Sequence, residues 1–138
     1  YAPPVVGAAQ FSLPNTVSVA AIYGQASVDQ FQEHLLTDPT IKAMMQRVEM
    51  DHTGALDVYL PYIFAAKVAI TVKSGEVYEH LTTYTKGDPE CPMTPKELKD
   101  KFFSLACRNI SHEKAENIYN AIMDLENISV RNLTALLK

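Results

Sequence analysis

The chain carries four histidines, His34, His52, His80 and His112. Imidazoles serve as metal ligands when paired at short helical or loop spacings, or as general bases beside a nucleophile. No two of these histidines stand at metal-ligand spacing, and none adjoins a cysteine. His34 and His112 fall among charged helical neighbours and read as solvated surface. His52 and His80 fall near strand ends. The two cysteines, Cys91 and Cys107, form no Cys-x-x-Cys pair. Cys107 lies in an apolar helical stretch and reads as a small core residue. A disulfide between the two stays open, and a reducing, cytoplasm-like compartment is the simpler reading. Aspartates and glutamates are numerous but sit as caps or on helix surfaces. There is no phosphate-binding loop, dinucleotide fingerprint or nucleophile elbow. From the residues alone the chain carries no catalytic constellation, and a lid, regulatory or interaction domain accounts for it as well as an enzyme does.

The composition narrows the classes further. The chain has 138 residues, 47% hydrophobic and 20% charged, with a net charge of -4. That is ordinary for a globular domain with a real core. An acidic balance with only scattered Lys and Arg argues against a nucleic-acid surface. The apolar runs fall far short of the ~20 residues of a membrane span. Tyr1 is not an initiator methionine, which suggests a processed chain or a fragment. Asn109-Ile-Ser111, Asn127-Ile-Ser129 and Asn132-Leu-Thr134 match the glycosylation sequon. With no secretory signal they read as chance, and Ser111 and Ser129 have a local task as helix caps.

The elements follow from local chemistry. Residues 1–7, with Pro3-Pro4 and Gly7, read as an extended leading segment. Ser12 before Leu13-Pro14-Asn15 reads as an N-cap with proline in the first turn, opening a helix that ends at Gly24. That helix is apolar or small on nearly every face, which implies cover on all sides by something larger than this chain. Ser27-Val28-Asp29-Gln30 is a capping box opening a helix that carries Phe31, Leu35 and Leu36. Asp38-Pro39 opens the next helix, with Ile41, Met44, Met45 and Val48 at helical spacing and the methionines as core filler. Residues 47–52 alternate as a short strand, and residues 53–61 form a loop. Residues 66–72 and 77–84 are the two arms of a β-hairpin around Lys73-Ser74-Gly75-Glu76. Lys86-Gly87-Asp88-Pro89 then turns the chain, and Thr94-Pro95-Lys96-Glu97 is a capping box opening a helix over residues 95–107. Ser111 opens a helix running to about Leu125, and Ser129 opens a last short one.

Three stretches taken together carry a resemblance. They are Ala9-Gln10-Phe11-Ser12-Leu13-Pro14, Val68-Ala69-Ile70-Thr71-Val72-Lys73-Ser74-Gly75, and Lys86-Gly87-Asp88-Pro89 with Pro92-Met93-Thr94, Glu97-Leu98 and Lys101-Phe102 after it. Asp124-Leu125-Glu126-Asn127-Ile128 is a looser fourth. In this order they resemble the C-terminal part of the MmgE/PrpD family, which includes 2-methylcitrate dehydratase, cis-aconitate decarboxylase and an iminodisuccinate epimerase. The resemblance covers essentially the whole chain. It implies an α+β fold, with residues 1–88 as a lid-like domain holding a small antiparallel sheet. Residues 89–138 would be a C-terminal helical segment belonging to a larger helical domain upstream. It implies a cofactor-independent lyase acting on a small di- or tricarboxylic acid, most simply 2-methylcitrate dehydratase-like, with no metal. The acid–base residues would come from segments upstream of Tyr1, so no catalytic residue is assigned in this chain. A tyrosine often follows the proline of the Phe-Ser-Leu-Pro stretch in relatives, and here Asn15 stands there. Asn15 cannot titrate, but its amide can hydrogen-bond a carboxylate. Ser12 and Asn15 are therefore the candidate substrate-binding residues, aided by N–H groups at the helix start, and plain capping is their other reading. The partners implied are a small carboxylic acid, the upstream helical domain and a second copy in a homodimer, with neither nucleic acid nor membrane. The compartment implied is cytoplasmic, or mitochondrial in a eukaryote. A non-catalytic carboxylate-binding or interaction module of the same fold is the alternative, favoured by the missing catalytic cluster.

Overall fold

The computed structural model describes residues 2–52 and 54–138. Tyr1, in the leading segment, and Thr53, in the loop before the hairpin, lie outside the described residues. The chain divides into two compact units, Tyr1–Ala55 and Leu56–Lys138. The division expected between residues 88 and 89 is a different one and falls inside the second unit, between the hairpin and the helices that follow it.

In the first unit Ser12 starts a helix because its backbone is extended while its hydroxyl accepts the Asn15 N–H at 3.4 Å. This helix, α2 (Leu13–Tyr23), ends at Gly24, whose φ of 72° places it in the left-handed region. The buried stripe of α2 is Asn15, Ser18 and Val19, facing α3 (Pro39–Met45). Val19, Ile41 and Met45 form the core, with Leu35 packed against it. The Asp38 carboxylate caps α3 by accepting from Thr40 N–H at 2.7 Å and Ile41 N–H at 3.1 Å. Cover on every side of α2 is not what this unit supplies: one stripe is buried, and Leu13, Ile22 and Tyr23 stand exposed.

Three sequence expectations for this unit give way. The leading segment is not wholly extended, because a short helix, α1 (Val6–Gln10), follows Val5. Its last carbonyls find donors outside the helix: Asn15 Nδ2 donates to Ala9 O at 3.3 Å and Thr16 Oγ1 to Gln10 O at 3.3 Å. Those two bonds stabilise one turn that would not persist alone. The capping box at Ser27 opens only a 3₁₀ turn, Val28–Gln30, and a second 3₁₀ turn, Glu33–Thr37, follows. Between them Phe31 leaves helical geometry (φ -112°, ψ 69°) and its side chain is buried. Residues 47–52 form no strand; Arg47 and Val48 donate back to Met44 and Met45 carbonyls, and residues 48–52 carry no regular structure. Alternation alone supplies no ladder, and among the described residues no strand pairs with this one.

In the second unit β1 (Ala66–Thr71) and β2 (Val77–Thr82) pair antiparallel, Val68 opposite His80 and Ile70 opposite Tyr78. Gly75, at φ 87°, turns the chain and donates its N–H to Val72 O at 2.9 Å. Every residue of both strands is exposed. The connecting loop is organised by Asp88, whose carboxylate accepts Thr85 N–H at 2.8 Å and Thr85 Oγ1–H at 2.6 Å. Gly87, at φ 109°, donates to Cys91 O at 2.8 Å. Thr94 and Glu97 form the expected reciprocal box at the start of α4 (Pro95–Ala106). Ser111 and Ser129 cap α5 (His112–Met123) and α6 (Val130–Leu136). Ala115 and Ile118 of α5 are buried. Cys107 is not a core residue: it sits at the C-cap of α4, exposed, and both cysteines are free thiols. Among the described residues the chain holds six α-helices and one two-stranded antiparallel sheet, an α+β architecture.

Candidate functional site

The corner between α1 and α2 holds both candidate binding residues, and the structure brings them together. Ser12 and Asn15 are 9% and 5% exposed. Ser12 Oγ is used by the Asn15 N–H, and the Asn15 amide nitrogen by the Ala9 carbonyl. Asn15 also borders a cavity of about 10 Å³ shared with Val19, Phe31 and Ile41, room for one water at most. Pro14 has no N–H, so the first turn of α2 offers little of a helix start's usual donor set. What the corner turns outward is apolar: Phe11 is 93% exposed and Leu13 58%. The corner is thus a rigid polar joint carrying an apolar tip.

The other polar assembly is the loop feeding α4. Glu97 Oε2 accepts the Thr94 N–H at 2.7 Å and the Thr94 hydroxyl at 2.8 Å, while Lys86 Nζ lies 3.0 Å from Glu97 Oε1. The Thr94 backbone N–H, then Lys86, then the Thr94 hydroxyl hold the Glu97 carboxyl down at about 2. Asp88 is lowered by the Thr85 hydroxyl and N–H, and Asp38 chiefly by the Ile41 N–H. Lys96 is raised by its bond to Asp100. Each shift moves its group away from neutrality, whereas a general acid or base works best near the operating pH. These groups are structural anions and cations.

The histidines are spread apart. His34, His52 and His80 are exposed. His112 is exposed too, but it stacks on Phe103, ring centroids 4.8 Å apart at 29°. Phe103 also contacts Phe102 and Tyr119, and Lys99 Nζ lies 5.1 Å from the Tyr119 ring centroid. The sequence reading missed this cluster. The signals for it were the i, i+4 pair Lys99 and Phe103 and the i, i+7 pair His112 and Tyr119, which place each pair on one face of its helix. Among the described residues no three His, Cys, Asp or Glu side chains are grouped to hold a metal ion. No helix there is long and apolar enough to cross a membrane.

Residues 3–127 match the MmgE/PrpD C-terminal domain. The chain is 29% identical over 118 residues to the cis-aconitate decarboxylase-like protein oryM of Aspergillus oryzae, covering 84% of this chain and 24% of that protein. It is 26% identical over 120 residues to cis-aconitate decarboxylase of Homo sapiens, covering 83% and 24%. The chain thus spans about a quarter of the length of these curated relatives.

Proposed function

As the chain belongs to the MmgE/PrpD family, a family of lyase type, we propose that it is the lid-forming C-terminal part of a cofactor-independent lyase acting on a small di- or tricarboxylic acid. The observation that carries this reading is the family match over residues 3–127 in a chain a quarter the length of its relatives. Abstraction of a proton beside a carboxylate, or loss of carbon dioxide with the electron pair taken up by carbon and reprotonated, needs groups titrating near neutral pH. None of the groups shifted in this chain is of that kind. The acid–base machinery is assigned to an upstream helical domain, as the resemblance to the C-terminal part of the family implies. That domain would also cover the outer faces of α2 and the hairpin, and residues 89–138 would pack into it. The names of both relatives favour decarboxylation of a cis-aconitate-like acid over the dehydration of 2-methylcitrate that the resemblance alone suggests. Ser12 and Asn15 serve the substrate by fixing the α1–α2 corner at the rim of the cleft. The full protein works as a homodimer in the cytoplasm or mitochondrion.

Assays of the isolated chain and of the full-length protein with cis-aconitate and 2-methylcitrate test this. The expected result is no turnover by the chain alone and carbon dioxide release from cis-aconitate by the full-length protein. Turnover by the chain alone overturns the lid reading. Dehydration of 2-methylcitrate by the full-length protein makes it a dehydratase. A second reading, a non-catalytic carboxylate-binding module, is favoured by Asn15 in place of a titratable tyrosine. Tricarboxylate binding by the full-length protein without turnover would establish it.

A further inference from the structure

We propose that the cleft between the start of α2 and the second half of α3 is a binding site for a small monocarboxylate with a short apolar tail. The cleft has a volume of about 330 Å³ and is lined by Ala2, Pro14, Lys42, Met45, Gln46 and Val48. That volume lies at the lower end of the range for small-molecule sites. Its wall is apolar: Met45 is buried, and Pro14 and Val48 are half-buried. Among the described residues its polar lining side chains are Lys42 and Gln46. Lys42 and Gln46 stand four residues apart, across the end of α3, so their side chains rise from one face. One ammonium and one amide N–H₂ are the donors that a carboxylate's two oxygens require.

The Lys42 charge is available. The ion pairs among the described residues are Lys67–Glu79, Lys86–Glu97 and Lys96–Asp100, and Lys42 is in none of them. Asp38, four residues before it, directs its carboxylate to the Thr40 and Ile41 N–H groups instead. Lys42 is also half-buried, which weakens solvent screening of its field. A single ammonium suits one carboxylate better than a phosphate or a tricarboxylate, and the wall of Pro14, Met45 and Val48 takes up a chain of a few methylenes. All six lining residues belong to the first unit, so the inference does not rest on the lyase reading.

The test is amide chemical-shift titration of the full chain with sodium hexanoate, with hexan-1-ol and hexylammonium as controls. Hexanoate is expected to give saturable shifts at Lys42, Met45, Gln46 and Val48, with a Kd of about 1 mM. Lys42→Met is expected to weaken binding about three- to fivefold, with Lys67→Met unchanged. Gln46→Ala, at an exposed position, is the second variant and is expected to weaken binding as well. The proposal is overturned by shifts that are scattered or do not saturate, by hexan-1-ol or hexylammonium matching hexanoate, or by folded Lys42→Met and Gln46→Ala proteins that both bind like the parent.

Discussion

Ser18 is fully buried in α2, and its hydroxyl has no hydrogen-bond partner. A hydroxyl dried without a partner costs folding free energy, and alanine fits the same space. Ser18→Ala is therefore expected to stabilise the chain by about 1 kcal/mol, read as a higher urea midpoint. An unchanged or lower midpoint would mean that the hydroxyl has a partner after all. Glu97 gives the pH-dependent case. Its carboxyl is held at about 2, below the ordinary 4.5. A depressed carboxyl contributes stability that is fully present above its ordinary value and is lost as pH falls through its folded value. Glu97→Gln should lower the urea midpoint at pH 7, and the gap should close between about pH 4.5 and 2. A gap that stays constant down to pH 2 would refute the assignment. At this scale Ser12 and Asn15 were legible as a cap pair. The burial of Asn15 was not, because Phe31 and Ile41, which line the small cavity with it, arrive from elsewhere in the chain.

The pairing of α2 with α3 holds the first unit together, and Ile41 is the side chain at its centre, 2% exposed against Val19 and Met45. Ile41→Ala removes three carbons from a site whose neighbours are fixed by two capped helices. A loss of about 2–5 kcal/mol is expected, measured by chemical denaturation. A loss below 1 kcal/mol would mean that the site collapses around the change. Helix starts were the most legible feature: Ser12, Asp38, Thr94, Ser111 and Ser129 all accept a backbone N–H two or three residues on, as their types and spacing imply. Such bonds close within one turn and need nothing distant. Residues 47–52 show the converse, since a strand is defined by its partner. The 3₁₀ turns around Phe31 show a third case, where burial of one aromatic ring overrides a sound capping box.

Among the described residues the buried hydrophobic side chains are few: Ala9, Val19, Phe31, Ile41, Met45, Ala115 and Ile118. Set against 47% hydrophobic composition, this leaves much apolar surface outside. The hairpin is the extreme, and a two-stranded hairpin with no packed face is marginal in water. Backbone amides of β1 and β2 are therefore expected to exchange with solvent faster than those of α2 and α5 in the isolated chain. Equal protection would mean that the hairpin has cover. The α+β class and the family were legible because the turns, caps and hairpin that carry them are local. The chemistry was not, because a chain a quarter the length of its relatives displays a quarter of their side chains.

The hairpin also sets how the chain behaves in a crowded solution. Among the described residues each strand pairs on one side only, so each keeps an outer rim of backbone donors and acceptors without a ladder. Val68, Ile70 and Tyr78 lie along one face of that ribbon, and the Lys67–Glu79 ion pair lies on the other. Such a rim is a template: a second copy laid against it extends the ladder, and a third extends it again. The chain on its own would then grow by edge addition, with a lag and a steep dependence on concentration.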